Sequence, residues 1–418
     1  MDTSITEIKA GQIFDSRGNP TVRCRVVLKD GSVGVASVPS GASTGSYEAV
    51  ELRDRARAYG GKGVLLAVGS INGEIKDALM GLAADEQREI DRRLLVLDGT
   101  ENKERLGANA TLAVSLACAK AAAASHGLPL YKYLGGGLAN RLPRPFLNVL
   151  NGGRHAEGGL AIQEYMIVPV SAASFSEAMR MASECYHALG VLLREDGYRI
   201  SLGDEGGFAP ALESDEEALR YLVRSIEYAG YEPGQDVFLA LDVAANEWYE
   251  QGKYRPIGTA RRYTAKELSA YYQDLLKKFP ILSLEDPFAE EDFDAFSAFT
   301  KDAPKGLQIV GDDLFVTNEK RLKKGIATGS CNCVLIKPNQ VGTLSETADT
   351  VALAQRHGYK VMLSHRSGET EDAALADLAV AFSSGQIKAG APARSERLAK
   401  YNRLLEIEEE LGENARYG

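Results

Sequence analysis

Three carboxylates follow three successive apolar runs in the second half of the sequence. Asp242 ends one run, Glu285 ends the next, and Asp312 follows the third. If the runs are neighbouring strands, the carboxylates lie side by side and repel one another unless a cation lies between them. Ligand sets made only of oxygen favour a hard cation such as Mg²⁺ over zinc. The trio therefore predicts a magnesium site, although each residue alone is more simply a helix N-cap. Asp313 is expected to point to the other side of its strand and to be structural.

Two lysines, Lys337 and Lys388, end later apolar runs and are expected to face these carboxylates. A lysine near a divalent cation and a second ammonium group has a lowered pKa and can act as a base, whereas ion pairing is the alternative. Glu164 and Glu205 lie at the ends of earlier runs. The lysines and the two glutamates could provide a base on one face of a substrate and an acid on the other. Such a pair suits removal of a proton next to a carboxylate and loss of a β-hydroxyl group.

An anion-binding pair follows a further run, since Arg366 and Ser367 offer a guanidinium fork and a hydroxyl suited to phosphate. An exposed turn is the alternative. The Gly/Ser-rich segment 37–49 is either a simple strand-to-helix connection or a lid that supplies Ser43 to a second cation. The glycine-rich segment 151–165 is expected to divide into a mobile half and a fixed half that carries Gln163.

The elements that must position these residues are predicted to form a β/α barrel. From about residue 146, short apolar runs alternate with helical stretches, and each run ends in polar residues. Functional side chains gather at the carboxyl ends of barrel strands. A doubly wound sheet also alternates strands and helices, but no G-x-G-x-x-G motif follows a first strand. The segment RISLGDEGG is counted among the predicted strands.

The first part of the chain is predicted to be an α+β domain. An alternating run turns at Asp30-Gly31, which indicates a hairpin, and helical patterns follow, including residues 50–60. The predicted domains are 1–135, an α+β capping domain, and 136–418, the barrel with the site. The fold class is therefore α/β, with an N-terminal α+β domain followed by an eight-fold αβ barrel.

Composition limits the possible partners and the location. The net charge is −10 without a long basic cluster, which argues against nucleic acid and membrane partners. The start of the sequence has no apolar signal region, and the five cysteines are expected to be free thiols, so a cytoplasmic location is expected. Cys331 and Cys333 are expected to pack on one face of a strand.

Long motifs in the same order resemble the enolase (phosphopyruvate hydratase) family, from about residue 8 to the C-terminus. They include FDSRGNPTV, VPSGASTG, QEYMIVP, GDEGGFAP, LEDPF, GDDLFVTN, IKPNQVGTLSET, SHRSGETED and IKAGAPARSERLAKYN. The resemblance implies that Asp242, Glu285 and Asp312 hold a first Mg²⁺, and that Lys337 removes the C2 proton of 2-phosphoglycerate. It implies that Glu205 protonates the leaving hydroxyl group, with Glu164 beside it.

The same resemblance implies further contacts. Substrate would be held by Gln163, Arg366, Ser367, Lys388, Ala42 and Ser43. Two Mg²⁺ ions per site are implied, the second arriving with substrate and joined by Ser43 when its loop closes. His155 would lie on a loop that closes over the phosphate, and His365 near the leaving group. A homodimer or larger homo-oligomer is implied. Arg17 resembles a subunit-contact residue, although a hairpin-turn role is equally compatible with the sequence.

Departures from the family pattern leave alternatives open. They are Arg154 and Glu157 around the loop histidine, and Ala211, Asn246 and Ala389 elsewhere. An extra cation at Arg154 could hold a second anion. One alternative is therefore a paralogue that joins 2-phosphoglycerate to phosphonoformate, a carboxyphosphonoenolpyruvate synthase. A non-catalytic protein on the same scaffold, and a racemase or dehydratase acting on an unphosphorylated acid, are further alternatives.

Overall fold

The computed structural model describes residues 2–41, 45–153, 160–257 and 259–418. In chain order, the strands of these residues are β1 Ile5–Phe14, β2 Pro20–Leu28, β3 Val33–Ser37, β4 Arg141–Leu142, β5 Arg144–Asn151, β6 Glu164–Pro169, β7 Val237–Asp242, β8 Tyr249–Glu250, β9 Lys253–Tyr254, β10 Ile281–Glu285, β11 Gln308–Gly311, β12 Cys333–Ile336, β13 Lys360–Ser364, β14 Gly385–Lys388 and β15 Arg416–Tyr417.

The α-helices of the same residues are α1 Leu65–Ser70, α2 Lys76–Leu79, α3 Gln87–Asp98, α4 Ala108–Ser125, α5 Leu130–Gly135, α6 Phe175–Glu195, α7 Asp215–Tyr228, α8 Ala265–Lys278, α9 Phe293–Asp302, α10 Glu319–Thr328, α11 Pro338–Val341, α12 Leu344–Arg356, α13 Ala374–Ala381 and α14 Ser395–Leu411. A π-helical turn, Ile71–Ile75, joins α1 to α2. No helix of the described residues is long and apolar enough to cross a membrane.

The N-terminal part is a three-stranded antiparallel sheet, β1-β2-β3, covered by helices. Val27 pairs with Val33 across the turn at Asp30-Gly31, so the predicted hairpin is confirmed. Helix α4 is rich in alanine, a strong helix former, and is buried on nearly every side. It lies so close to β3 that a Cβ atom at Gly34 would be 2.0 Å from the Ala117 carbonyl oxygen. Glycine at this position therefore permits the contact between the helix and the sheet.

The helix predicted for residues 50–60 is wrong. This segment has no regular secondary structure before a short 3₁₀ turn, Ala58–Gly61, in which Tyr59 has a φ of 54°. Val50 accepts a backbone hydrogen bond from Ala108 and donates one to Asn102, so its backbone groups are satisfied by other segments. These long-range bonds override the helical pattern of the side chains.

The second part is a closed eight-stranded barrel, in the order β10-β11-β12-β13-β14-β5-β6-β7, with helices outside, as predicted. Strand β6 runs antiparallel to both of its neighbours, whereas the other barrel pairs are parallel. The first barrel strand is Arg144–Asn151, and the predicted strand RISLGDEGG is wrong. That segment turns at Gly206, which has a φ of 87° and donates to the Gly203 carbonyl. It forms a loop at the barrel mouth.

The two sides of the barrel wall form separate apolar clusters. The inner cluster consists of Phe146, Met166, Val168, Ala240, Val310, Cys333, Leu335 and Met362. All five cysteines are free and buried, but Cys331 belongs to the outer cluster and Cys333 to the inner one. The expectation that these two share a face is wrong, because Cys331 has a φ of 67° and precedes the regular strand.

Candidate active site

The register of three barrel strands brings carboxylates together at one rim. Glu285, the last residue of β10, pairs with Asp242, the last residue of β7. Asp242 also pairs with Glu164, the first residue of β6. Because β6 is reversed, its start lies at the same rim as the ends of the parallel strands. Asp312 follows the end of β11, the strand next to β10. Glu164 therefore reaches the rim as the start of a strand, and not at a strand end as expected.

Lys388, the last residue of β14, is the cation at the centre of this rim. Its Nζ lies 3.0 Å from Glu164 Oε2, 2.9 Å from Asp242 Oδ2 and 2.9 Å from Glu285 Oε1. Burial opposes the charged form of Lys388, but the surrounding carboxylates, Asp242 foremost, raise its pKa well above the usual value. Lys388 is therefore a fixed positive charge that holds three carboxylates at short range.

Lys337 follows β12 and forms an ion pair with Asp312. Its backbone N–H donates to Thr317 Oγ1 at 2.8 Å, which fixes where the lysine leaves the strand. Burial again opposes the charge, but Asp312 outweighs it and the pKa of Lys337 is raised. The protein's own groups thus raise the pKa of Lys337, whereas a lowered pKa was expected for a lysine beside a metal ion.

The carboxylates fit a hard cation. Asp242, Glu285 and Asp312 are all buried and offer only oxygen ligands. The Oε2 atom of Glu285 is buried and has no hydrogen-bond partner among the described residues, which leaves this oxygen available to a metal ion. Burial and then Asp242 raise the pKa of Glu285 well above its usual range. A divalent cation would compensate this concentration of negative charge.

A second carboxylate cluster was not predicted. Ligand oxygens of Asp286, Asp312 and Asp313 lie within 4.8 Å of one another. Asp286 has a φ of 41°, and its carboxylate accepts from the backbone N–H groups of Asp312 and Asp313. These bonds turn the chain so that Asp313 lines the cavity, and the prediction that it points away is wrong. Burial, and then Asp312, raise the pKa of Asp313 to about 8.

The opposite side of the cavity carries Glu205, on the loop after α6. Asn148 Nδ2 donates to Glu205 Oε2 at 3.0 Å, and His365 Nε2 lies 3.3 Å from the same oxygen. Ser367 Oγ donates to Glu205 Oε1 at 3.3 Å. Burial and then the charge of Glu205 raise the pKa of Glu164 well above its usual value. Two adjacent buried carboxylates of this kind favour retention of a proton.

Arg366 is held by a residue of the N-terminal domain. Its Nη1 lies 2.9 Å from Glu48 Oε2 and its Nη2 lies 3.2 Å from Glu48 Oε1, a two-point ion pair. Nη1 also donates to Asn339 Oδ1 at 3.1 Å. Glu48 was not predicted, because its carboxylate reaches the barrel from a different domain. The guanidinium fork expected to bind phosphate thus already faces one carboxylate.

A single cavity is lined by all the predicted site residues that the structure describes except Glu285, which is buried beside Lys388. Its lining comprises Gln163, Glu164, Glu205, Asp242, Ala244, Glu247, Asp286, Asp312, Asp313, Lys337, Ser364, His365, Arg366, Ser367 and Lys388. The backbone is strained here, since Ala244 has a φ of 48°. Three predicted site residues, Ala42, Ser43 and His155, lie outside the described residues, as do Arg154 and Glu157. Their roles remain predictions.

Arg17 has a local role in the chain. Its Nη2 donates to the Gly41 carbonyl at 3.0 Å and lies 3.7 Å from Asp15 Oδ2. These contacts agree with a role of Arg17 in the turn between β1 and β2. They connect this turn to Gly41 in the Gly/Ser-rich segment.

The fold and the site define a class: a β/α barrel with an α+β domain at its mouth and buried carboxylates and lysines at the carboxyl ends of its strands. Residues 5–134 match the family model described as "Enolase, N-terminal domain", and residues 139–418 match "Enolase, C-terminal TIM barrel domain". The chain belongs to the enolase superfamily. Enolate chemistry of the lyase type, with a metal ion such as Mg²⁺, is the activity that this membership supports.

Proposed function

We propose that the protein is a phosphopyruvate hydratase, which reversibly dehydrates 2-phospho-D-glycerate to phosphoenolpyruvate. One observation supports this best: a single cavity has Lys337 on one side and Glu205 with Glu164 on the other, with carboxylates and Arg366 between them. The arrangement suits one base, one acid and an anionic substrate.

Lys337 is the proposed base that removes the proton at C2. To accept a proton it must first lose its own, and its ion pair with Asp312 opposes this loss. Asp312 would also be a ligand of the first Mg²⁺, and a carboxylate held by that ion would stabilise the charge of Lys337 less than it does in the ion pair. When bound, Mg²⁺ supplies positive charge that stabilises the dianion formed at the substrate carboxylate. Asp242, Glu285 and Asp312 would hold the first ion, and the second would arrive with substrate.

Glu205 is the proposed acid that protonates the leaving C3 hydroxyl group. Its two oxygens are positioned by Asn148 and Ser367. Glu164 lies beside it, and burial together with the charge of Glu205 raises the pKa of Glu164. The pair therefore provides a proton next to the group that departs, while Arg366, Ser367, Lys388 and Gln163 hold the acidic groups of the substrate.

Formation of phosphoenolpyruvate tests the proposal. The purified protein is incubated with 2-phosphoglycerate and Mg²⁺, and product is followed by ultraviolet absorbance and phosphorus NMR. Phosphoenolpyruvate is expected, and only with the metal present. A metal-loaded, folded protein that forms none would overturn the proposed function.

A second arm of the same assay addresses the paralogue alternative, which depends on Arg154 outside the described residues. Phosphonoformate is added together with 2-phosphoglycerate. A product that joins the two substrates would favour the carboxyphosphonoenolpyruvate synthase over the hydratase, whereas phosphoenolpyruvate alone is the expected result.

The protein is further proposed to act in glycolysis in the cytoplasm as a homodimer. Light scattering during size-exclusion chromatography would test the homodimer.

A further inference from the structure

Arg397, in α14, is a fully buried arginine behind the cavity, and no role was predicted for it from the sequence. Its Nη1 lies 2.7 Å from His365 Nδ1 and donates to the Arg366 carbonyl at 2.5 Å. Its Nη2 donates to the Ser367 carbonyl at 2.5 Å and to the Asp204 carbonyl at 3.1 Å. One guanidinium group therefore contacts the ring of His365 and the backbone on both sides of the acid site.

The contact with His365 determines where the imidazole proton lies. A guanidinium group carries only donors and keeps its charge, so Nδ1 of His365 must accept the hydrogen bond and carries no proton. A neutral imidazole then has its proton on Nε2. The doubly protonated ring is disfavoured because it would direct an N–H group and a positive charge at Arg397.

The Nε2 atom faces the acid side of the cavity. It lies 3.3 Å from Glu205 Oε2, and the ring is 2 % exposed. The charged groups with the largest effect on the pKa of His365 are Glu205 from the loop after α6, Arg397 from α14, and Glu369 from the loop after β13. Lys400 lies 2.7 Å from Glu369, so that carboxylate is already paired within the core. Glu205 is thus the nearest carboxylate to Nε2, and Nε2 itself forms no hydrogen bond within the described residues, so a proton on it is available to a bound substrate.

We infer that Arg397 is a positioning residue that fixes His365 as the Nε2–H tautomer, so that Nε2–H lies beside Glu205 and donates to the departing hydroxyl group, and does not accept a proton. The part concerning the hydroxyl group rests on the proposed function, whereas the tautomer rests only on the contacts. The same guanidinium group ties the backbone before Glu205 to the backbone of Arg366 and Ser367. It therefore fixes the position of Glu205 relative to Arg366 and Ser367.

Nitrogen-15 NMR of histidine-labelled, full-length protein tests the tautomer. The chain has five histidines, and His365→Gln identifies the signals that belong to His365. The expected result is a protonated Nε2 and an unprotonated Nδ1 from pH 8 down to pH 5. A proton on Nδ1, or a ring that becomes doubly protonated near the pH of a free histidine, would overturn the inference.

Two conservative variants separate positioning from general structural support. Arg397→Lys should release the tautomer, so that both ring nitrogens show averaged signals, and should slow dehydration more than it raises KM. Arg394→Lys is the matched control, since Arg394 directly precedes the same helix but donates to the Ser16 and Gly203 carbonyls. It should leave the His365 signals unchanged.

The outcomes are distinguishable. If Arg397→Lys folds with a lower melting temperature but an unchanged tautomer, Arg397 is only structural and the inference fails. If that variant does not fold, the wild-type spectrum still decides. If the wild-type protein forms no phosphoenolpyruvate, the proposed function fails while the tautomer result stands.

Discussion

The stability of the protein should depend on pH through His365, and His365→Gln should remove that dependence. Burial lowers the pKa of His365 from 6.5 to about 4, Glu205 opposes this shift, and Arg397 adds to it. Because the folded pKa lies below the unfolded one, the unfolded chain binds more protons between these two values. The contribution of His365 is therefore fully present above about pH 6.5 and is lost as the pH falls toward 4.

The size of the effect follows from the two pKa values. At pH 5 the histidine of the unfolded chain is almost entirely protonated, whereas that of the folded protein is about one-tenth protonated. The free energy of unfolding should therefore be lower by about 2 kcal/mol at pH 5 than at pH 8, with a limit of about 3 kcal/mol below pH 4.

Urea unfolding at a series of pH values checks this prediction. The difference between wild type and His365→Gln at each pH removes the contribution of the other titrating groups, and this difference should shrink as the pH falls from 8 to 5. His357→Gln, at an exposed position, measures the effect of replacing a histidine as such. Parallel pH profiles for wild type and His365→Gln would refute the reasoning.

Three further substitutions probe the charges and the packing. Lys388→Met should lower the free energy of unfolding by about 3–5 kcal/mol in chelator, because buried carboxylates lose their ammonium partner. Mg²⁺ should restore part of this stability, and an unchanged melting temperature in chelator would contradict the prediction. Glu48→Gln should lower the melting temperature, because the buried Arg366 loses the carboxylate that forms its two-point ion pair, and inorganic phosphate should raise the melting temperature more in the variant than in wild type. Equal phosphate effects would count against Arg366 as the anion site. Gly34→Val should cost about 1–3 kcal/mol or more in urea unfolding, since its Cβ would overlap α4, whereas Gly11→Val has open space and should cost much less.

Much of the barrel and its rim could be predicted because buried parallel strands leave a direct pattern in the sequence. Each apolar run ends where the chain reaches the rim, and the polar residue at that point is visible, as at Asp242, Glu285 and Lys388. The direction of a strand leaves no such pattern. The reversal of β6, which puts Glu164 at the rim from the start of its strand, could not be predicted from the apolar run alone.

The residues that the sequence did not reveal contact partners that are far away in the sequence. Glu48 is 318 residues from Arg366, and Arg397 is 32 residues from His365 on another element. Such contacts depend on how elements pack, which a local pattern does not encode. Asp286 is different, because it directly follows Glu285 and an acidic pair at a strand end was a visible signal. Its left-handed backbone, which brings Asp313 into the cavity, was not visible.

Exchange of the C2 proton of 2-phosphoglycerate with solvent, measured beside phosphoenolpyruvate formation, tests the assignment of base and acid most directly. In deuterated buffer with Mg²⁺, Lys337→Ala should abolish both exchange and dehydration, because the base is lost. Glu205→Gln should retain some exchange while dehydration fails, because only the acid is lost. Dehydration at the wild-type rate in Glu205→Gln, or exchange at the wild-type rate in Lys337→Ala, would contradict the account.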